Sequence, residues 1–245
     1  MKPCIGIPIY EHGQTIGEVL GSLEPYGLAC IIVDDGNSPA TREVIVELAS
    51  RYRWVEVVHH ESNRGRGAAL RTLYRAAADR GYSHVVQIDA DGQHDANDIP
   101  RFLDAARRSP KAVVLGSPVF DQSAPFHRVY GRKLSQAIVW LQTLSFSVQD
   151  PLCGFRCIPL ARTLAILENV QTGNRMDFDP EIVIRLVRSG CVVVNVSTNV
   201  IYPVDGVSHF RMIADNALIA WRYLRLATTW RSGFRETANA SWSRK

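Results

Sequence analysis

The sequence predicts an α/β fold: a doubly wound, mostly parallel sheet flanked by helices. Three observations lead there. Short Val/Ile-rich runs alternate with helix-type segments through the first half of the chain. Those runs are apolar at nearly every position rather than every second one, as in strands covered on both faces. Each strand–helix–strand repeat also has the length of a right-handed crossover. The 245 residues, 46% hydrophobic and 21% charged, fit one large domain of this class. The same composition excludes disorder, collagen and coiled coil.

The strand candidates are Cys4–Ile9, Ala29–Val33, Val55–His59, His84–Ile88 and Ala112–Leu115. Helical patterns lie between them at about Thr15–Leu23, Pro39–Arg53, Gly67–Arg80 and Asp98–Arg108. In the second half, Val129–Val148 reads as a helix with Leu134, Ile138, Leu141 and Leu144 on its apolar positions, and Asp150–Ile158 as an extended run. Phe178–Ser189 reads as a helix, Val192–Ile201 as a strand and about 210–230 as an amphipathic helix. No Pro/Gly/Ser linker, low-complexity tract or internal repeat interrupts the pattern, so a single domain over 1–234 is expected, with a disordered tail over 235–245.

Other classes fall away on simple grounds. No apolar run approaches the ~18–20 residues of a membrane span. The start, MKPCIGIPIY, lacks the apolar region and cleavage site of a signal peptide, so a cytoplasmic location is expected. The five cysteines (Cys4, Cys30, Cys153, Cys157, Cys191) form no CxxC pair and read as reduced, buried thiols. A net charge of +4 is too small to argue for nucleic acid, although 24 of the 28 cationic residues are arginines, whose planar fork suits phosphate.

In an open α/β sheet the ligand crevice lies at the carboxyl ends of the strands. Three strand ends carry polar groups here: Pro8-Ile9-Tyr10-Glu11, Asp34-Asp35-Gly36 and Asp89-Ala90-Asp91-Gly92-Gln93-His94. Five acidic groups thus gather at one sheet edge, and like charges brought close raise one another's pKa. A divalent cation is the simplest offset, and Asp89 and Asp91 at a fraying strand end can close around one while ligand oxygens complete its shell. An EF-hand does not fit, because its sixth and twelfth positions would be His94 and Pro100. The competing reading is an acidic turn that caps the next helix through Asp95 or Asp98.

The stretch Asn63-Arg64-Gly65-Arg66-Gly67-Ala68-Ala69 leads into a helix. Its backbone N–H groups and two arginines could meet a phosphate, or its glycines could serve tight packing. It is neither a Walker A loop nor a full G-x-G-x-x-G fingerprint.

Taken in order, P-x-Y-E, V-D-D-G, N-x-G-x-G-x-A and D-A-D-G-Q-H resemble the motifs of family 2 glycosyltransferases with the GT-A (nucleotide-diphospho-sugar transferase) fold. Gly116–Pro118, DPLCGFR (Asp150–Arg156) and FDPE (Phe178–Glu181) narrow the resemblance to the polyprenyl-phosphate mannose/glucose synthase-like branch. YGRKLSQ, MDFDPEI and DGVSHFRM look like the small bacterial glycosyltransferases of aryl-polyene-type lipid pathways. The resemblance covers about residues 3–225.

The resemblance implies an inverting, metal-dependent transfer from a nucleotide-diphospho-sugar to a lipid or polyprenyl-phosphate acceptor. By position it assigns the nucleotide-sugar to Pro8, Tyr10, Glu11, Asp34, Asp35, Asn63, Arg66, Gly67, Asp89 and Ala90. Mg²⁺ or Mn²⁺ falls to Asp89, Asp91 and Gln93. Asp179 matches the acid that serves as base toward hydroxyl acceptors, although as a residue it could equally cap the helix from Pro180. Glu181 reads as structural. Arg128 and Arg132 match arginines for an acceptor phosphate, and Arg211, in Ser208-His209-Phe210-Arg211, a basic group that closes over the diphosphate. One position departs from the branch: Pro118 stands where an arginine is common. Peripheral contact with the inner face of the cytoplasmic membrane is implied for the 129–148 and 210–230 segments, although helices packed in the domain's own core give the same pattern. Two other functions fit acidic strand ends: a sugar-1-phosphate nucleotidyltransferase and a non-catalytic nucleotide-binding module.

Overall fold

The computed structural model describes residues 1–119, 126–200 and 212–228, with 126–129 and 212–213 described by backbone alone. Its first half follows the alternation read from the sequence. Strands β1 (Pro3–Ile9), β2 (Cys30–Asp34), β3 (Val55–His59) and β4 (His84–Gln87) are separated by helices α1 (Ile16–Leu23), α2 (Pro39–Arg51) and α3 (Arg66–Asp79). Next come α4 (Ile99–Arg108), β5 (Val113–Val119), α5 (Phe126–Thr143), β6 (Arg156–Pro159), α6 (Leu160–Asn169), α7 (Phe178–Arg188), β7 (Val193–Asn199) and α8 (Met212–Thr228).

Among the described residues, seven strands form one sheet in the order β3-β2-β1-β4-β6-β5-β7. Only β6 runs against its neighbours, antiparallel to both β4 and β5. The other six therefore end at the same edge, and β6 begins there. The chain builds outward from β1 to β3, then returns to place β4 on the other side of β1. The order thus reverses between β1 and β4, where an open α/β sheet leaves its crevice.

Both faces of the sheet are covered. Ile5, Ile7 and Ile9 of β1 pack with Ile16 and Leu20 of α1 and Phe102 of α4, while Cys4 joins Leu73, Tyr74, Phe178 and Ile182 on the α3–α7 side. The period of two along a strand produces this division. Full burial of each aliphatic side chain contributes about 1.5–3 kcal/mol. The five cysteines are free and buried as expected, and burial raises the thiols of Cys4, Cys153 and Cys157 to about 12.

Three expectations need correction. The extended run at 150–158 is a strand only from Arg156, because Asp150 turns the preceding segment by accepting from the Leu152 N–H (2.7 Å). The helix expected over 129–148 spans Phe126–Thr143 and stops before Leu144, whose φ of 48° lies in the left-handed region. Helix α6 was not anticipated, although Leu160, Thr163 and Leu167 are buried at helical spacing. The 235–245 tail lies outside the described residues.

Candidate active site

At the end of β1 the backbone turns at Glu11, which takes a positive φ of 55°. Its carboxylate accepts from the Ser38 N–H (2.5 Å), the Ser38 hydroxyl (2.8 Å) and the Thr41 hydroxyl (3.1 Å). Glu11 is thereby tied to the start of α2, where Ser38 is the cap and Pro39 the first helical residue. Pro8 is buried within β1, opposite Val33, and Tyr10 is partly exposed at the strand end.

Asp34, expected among the nucleotide contacts, is instead an internal anchor. It is wholly buried and accepts from the Asn37 backbone and side chain, from Arg42 Nε (2.9 Å) and from His59 Nδ1 (2.8 Å). Burial alone would raise its pKa, but these hydrogen bonds prevail and hold it at about 2. Asp35 lies beside it, almost fully buried. Its Oδ1 accepts from His60 Nδ1 (2.7 Å) and the Arg64 N–H (3.0 Å), and its Oδ2 from the Gly65 N–H (2.8 Å).

The glycine-bearing entry to α3 is packed rather than open. The Arg64 and Gly65 N–H groups go to Asp35 and the Ala68 N–H to the Asn174 carbonyl (3.1 Å), so the expected backbone cradle for a phosphate is already filled by the protein at these groups. A β-carbon on Gly67 would stand 2.6 Å from both the Gly173 carbonyl oxygen and Phe178 Cβ. This close approach seats α3 against α7. Gly67 is therefore a packing residue, Asn63 is exposed on the turn, and Arg66 is carried into the space between the helices.

Beyond β4 stand Asp89, Ala90 and Asp91. The Ala90 side chain is buried, and its carbonyl accepts from the Thr15 hydroxyl (2.6 Å), which pins the segment to the start of α1. Asp89 lies 2.7 Å from an Arg66 terminal nitrogen and 3.5 Å from His94 Nε2. Gly154 walls it on another side: a β-carbon there would sit 2.7 Å from Asp89 Cγ. Burial works against the charge on Asp89, but Arg66 and His94 hold its carboxyl well below the usual range. Asp91 moves the other way, raised by its own burial and by the charge of Asp89, while its Oδ1 accepts from the Gln93 N–H (3.0 Å). Of the residues read as possible caps, Asp95 accepts from the Asn97 N–H (2.9 Å), whereas Asp98 stands at the N-cap of α4 without a side-chain capping bond.

Asp179 completes the group. It lies in the first turn of α7, whose N-cap is Asp177, so Asp179 does not cap that helix. Its Oδ2 accepts from Arg66 Nε (2.7 Å), and its Oδ1 lies 3.0 Å from Arg156, which is wholly buried at the start of β6. Arg156 also donates to the carbonyls of Pro151 (2.7 Å), Cys153 (2.6 Å) and Asp179 (3.1 Å). Glu181 is structural as expected: it is wholly buried and accepts from the Gly173 N–H and Arg185 Nε, both at 2.8 Å.

Arg132 stands in a different group. It donates to Asp150 (2.8 Å) and lines a cavity of about 60 Å³ with Ser117, Pro118, Lys133, Gln136 and Gln149. The Arg128 side chain and Arg211 lie outside the described residues.

His94, Gly154 and Arg156 are site residues that motif reasoning quoted without assigning a role. Arg156 left a readable signal: an arginine between Phe155 and the apolar Cys157-Ile158 must be paired when that run is buried.

No cluster of three or more His, Cys, Asp or Glu residues poised for a metal occurs among the described residues. The two-aspartate pair nevertheless fits a hard divalent cation. Asp89 Oδ1 is buried without a well-directed hydrogen bond. Three carboxylates (Asp89, Asp91, Asp179) stand about Arg66, Arg156 and His94, and carboxylate oxygens are the donors a hard cation takes. Mg²⁺-type ions are commonly held by one or two carboxylates, with waters and substrate phosphates completing the shell.

Comparison with known proteins agrees with this geometry. Residues 4–161 match the model for Glycosyl transferase family 2. An undecaprenyl-phosphate mannosyltransferase of Micrococcus luteus is 30% identical over 119 residues, 48% of each chain. A polyprenol monophosphomannose synthase of Mycolicibacterium smegmatis is 34% identical over 110 residues, 42% of this chain and 40% of that protein. Among solved structures, glucosyl-3-phosphoglycerate synthase of Mycobacterium tuberculosis, in one case with Mn²⁺, UDP-glucose and phosphoglyceric acid, superposes with a TM-score of 0.70 at 17% identity. That match covers 93% of this chain and 80% of the other, and it assigns the GT-A fold. The sheet order, the acidic pair beyond β4 and the family match converge: the chain is a glycosyltransferase and belongs to family 2.

Proposed function

We propose that this glycosyltransferase moves a sugar, with inversion, from a nucleotide-diphospho-sugar to a lipid-phosphate acceptor, with Asp89 and Asp91 holding Mg²⁺ or Mn²⁺. The observation that carries the reading is the Asp89/Asp91 pair just beyond β4, beside the β1/β4 reversal, with Asp89 Oδ1 buried at that edge. When bound there, the cation supplies Lewis-acid stabilisation of the departing diphosphate, worth several kcal/mol. The acceptor oxygen attacks the anomeric carbon as the bond to the diphosphate breaks, and the bonding pair leaves with the diphosphate.

The remaining roles follow from where the residues stand. Tyr10 and the β2 end stand at the same sheet edge as Asp89 and Asp91 and are the candidates to meet the nucleotide base. Asp35 can accept from it only through lone pairs not already engaged by His60, Arg64 and Gly65. Gln93 follows Asp91 in the same turn and is the candidate third ligand for the cation.

The acceptor is inferred from Asp179. Arg66 and Arg156 claim its two oxygens, which suits a charge-positioning group better than a general base. A phosphate acceptor needs no base, because its attacking oxygen is already ionised. Arg132, beside the cavity at Pro118, is placed to meet such a group, with Arg128 one helical turn earlier on α5. Two of the named relatives are an undecaprenyl-phosphate mannosyltransferase and a polyprenol monophosphomannose synthase, names that support the same class.

Membrane contact is part of the proposal. Tyr130, Leu134, Leu141 and Leu144 on and just after α5, with Trp221 and Leu224 on α8, are exposed apolar residues on two helices joined by the Gln142–Tyr223 hydrogen bond (2.9 Å). No helix among the described residues is long and apolar enough to cross a membrane. Contact from one side, with apolar groups at the interface, matches this arrangement.

The test is turnover with UDP-, GDP- and dTDP-sugars and polyprenyl phosphate, with and without Mn²⁺ or Mg²⁺. Release of nucleoside diphosphate with formation of a lipid-linked sugar supports the proposal. Release of pyrophosphate would point to a nucleotidyltransferase, and nucleotide binding without turnover to a non-catalytic module.

A further inference from the structure

Arg66 is a single guanidinium in contact with two acids of the site. Its Nε donates to Asp179 Oδ2, and a terminal nitrogen stands beside Asp89 Oδ1, each at 2.7 Å. Packing fixes its position, because Gly65 and Gly67 on either side abut the 173–174 backbone. Burial would weaken its charge, but Asp179 and Asp89 together hold it firmly protonated.

The two ends of the bridge differ. At Asp179 the Arg66 contact is a well-directed hydrogen bond, and Arg156 supports the same carboxylate. At Asp89 Arg66 stands equally close, but the second partner is weaker: His94 Nε2 lies 3.5 Å from the other oxygen. The Asp89 end is the one that can yield. A cation arriving at Asp89 must share that oxygen with a guanidinium already in place, and two positive centres a few ångströms apart repel. A diphosphate brought to the same edge supplies negative charge that offsets the repulsion.

We propose that Arg66 is a resident counter-cation for Asp89: a positioning residue that suppresses divalent-cation binding in the donor-free protein and couples it to the arrival of the nucleoside diphosphate. The inference rests on the assignment of the metal to Asp89 and Asp91. Coupling of this kind is reciprocal and is commonly 5–150-fold in affinity.

The test is Mn²⁺ affinity, read from the electron paramagnetic resonance signal of free Mn²⁺, for wild type, Arg66→Met, Arg66→Gln, Arg66→Lys and Asp91→Asn. Each protein is measured alone and with UDP or GDP, with circular dichroism to check folding. In the absence of nucleotide, the uncharged Arg66→Met should bind Mn²⁺ at least about tenfold more tightly than wild type, and Arg66→Lys about as weakly as wild type. Nucleotide should raise Mn²⁺ affinity more in wild type than in Arg66→Met. Damage to the fold would not raise affinity. If Arg66→Met does not fold, Arg66→Gln, which keeps a donor for Asp179 without the charge, decides on the same criterion. Equal or weaker Mn²⁺ binding in the uncharged variants, with binding still lost in Asp91→Asn, overturns the inference and leaves the metal assignment standing. Absence of Mn²⁺ binding in every protein, with and without nucleotide, overturns both.

Discussion

Arg156, at the first position of β6, faces Asp179 of α7 at 3.0 Å with no exposure to solvent. Because β6 alone is reversed, its first residue lies at the edge where the other strands end, and the ion pair fastens that edge to α7. The same guanidinium gathers the carbonyls of Pro151 and Cys153, so one side chain shapes the loop that presents Gly154 to Asp89.

Removing one partner of a buried ion pair leaves the other charge uncompensated. Arg156→Met should destabilise the protein by about 3–5 kcal/mol. Urea unfolding followed by circular dichroism measures this; a change within ~0.5 kcal/mol of wild type would mean that Asp179 does not depend on the pair.

Asp34 makes acid stability testable. Its folded pKa of about 2 lies below the ordinary value of 3.8, so the unfolded chain takes up the proton first as pH falls. The stabilisation is fully present above about pH 4 and is lost as pH drops toward 2. It amounts to roughly 2 kcal/mol. Asp34→Asn should therefore lower stability at pH 7 and show a shallower decline between pH 4 and 2 than wild type. Identical pH slopes would exclude Asp34 as the source.

Much of this architecture was legible before the fold was known. The apolar β-runs and their polar ends located the edge where the carboxylates gather, because a strand buried on both faces can carry carboxylates only where it leaves the sheet. What stayed hidden depended on contacts between distant segments. Asp34 and Asp35 read alike in sequence, yet only packing against His59 and Arg42 shows Asp34 wholly taken up by the protein. Asp179 read equally well as base or cap; Asp177 holds the cap position, and what disfavours a base is the pairing with Arg66 and Arg156, 113 and 23 residues away. Helix α6 carries its period in only three buried positions, Leu160, Thr163 and Leu167.

Asp179 separates the two acceptor chemistries. With a lipid phosphate, Asp179→Asn should lower kcat by less than about tenfold and leave the pH profile of kcat unchanged above pH 6. A general base toward a hydroxyl would cost ~10²–10⁴-fold. Steady-state kinetics on the folded variant distinguish them.

The apolar face of α5 and α8 should bind bilayers. The double variant Leu134→Glu/Leu141→Glu alters two side chains that are 58% and 73% exposed, so the midpoint of thermal unfolding should hardly move. Its co-sedimentation with phosphatidylglycerol vesicles should fall at least about fivefold, since each change replaces interfacial apolar area with charge. Undiminished sedimentation would place the membrane contact elsewhere.

The proposed cation site of Asp89 and Asp91 at the β4 end is the central claim. Asp91 is only half-buried, and its Oδ1 accepts from the adjoining Gln93 N–H, so Asp91→Asn should fold normally. The direct measurement is release of nucleoside diphosphate from the accepted sugar donor by this variant and by wild type, each with Mn²⁺ and with excess chelator. The account predicts a loss of at least ~10²-fold in Asp91→Asn and a comparable loss in chelated wild type. Full turnover by wild type in excess chelator, or by Asp91→Asn in Mn²⁺, would contradict it.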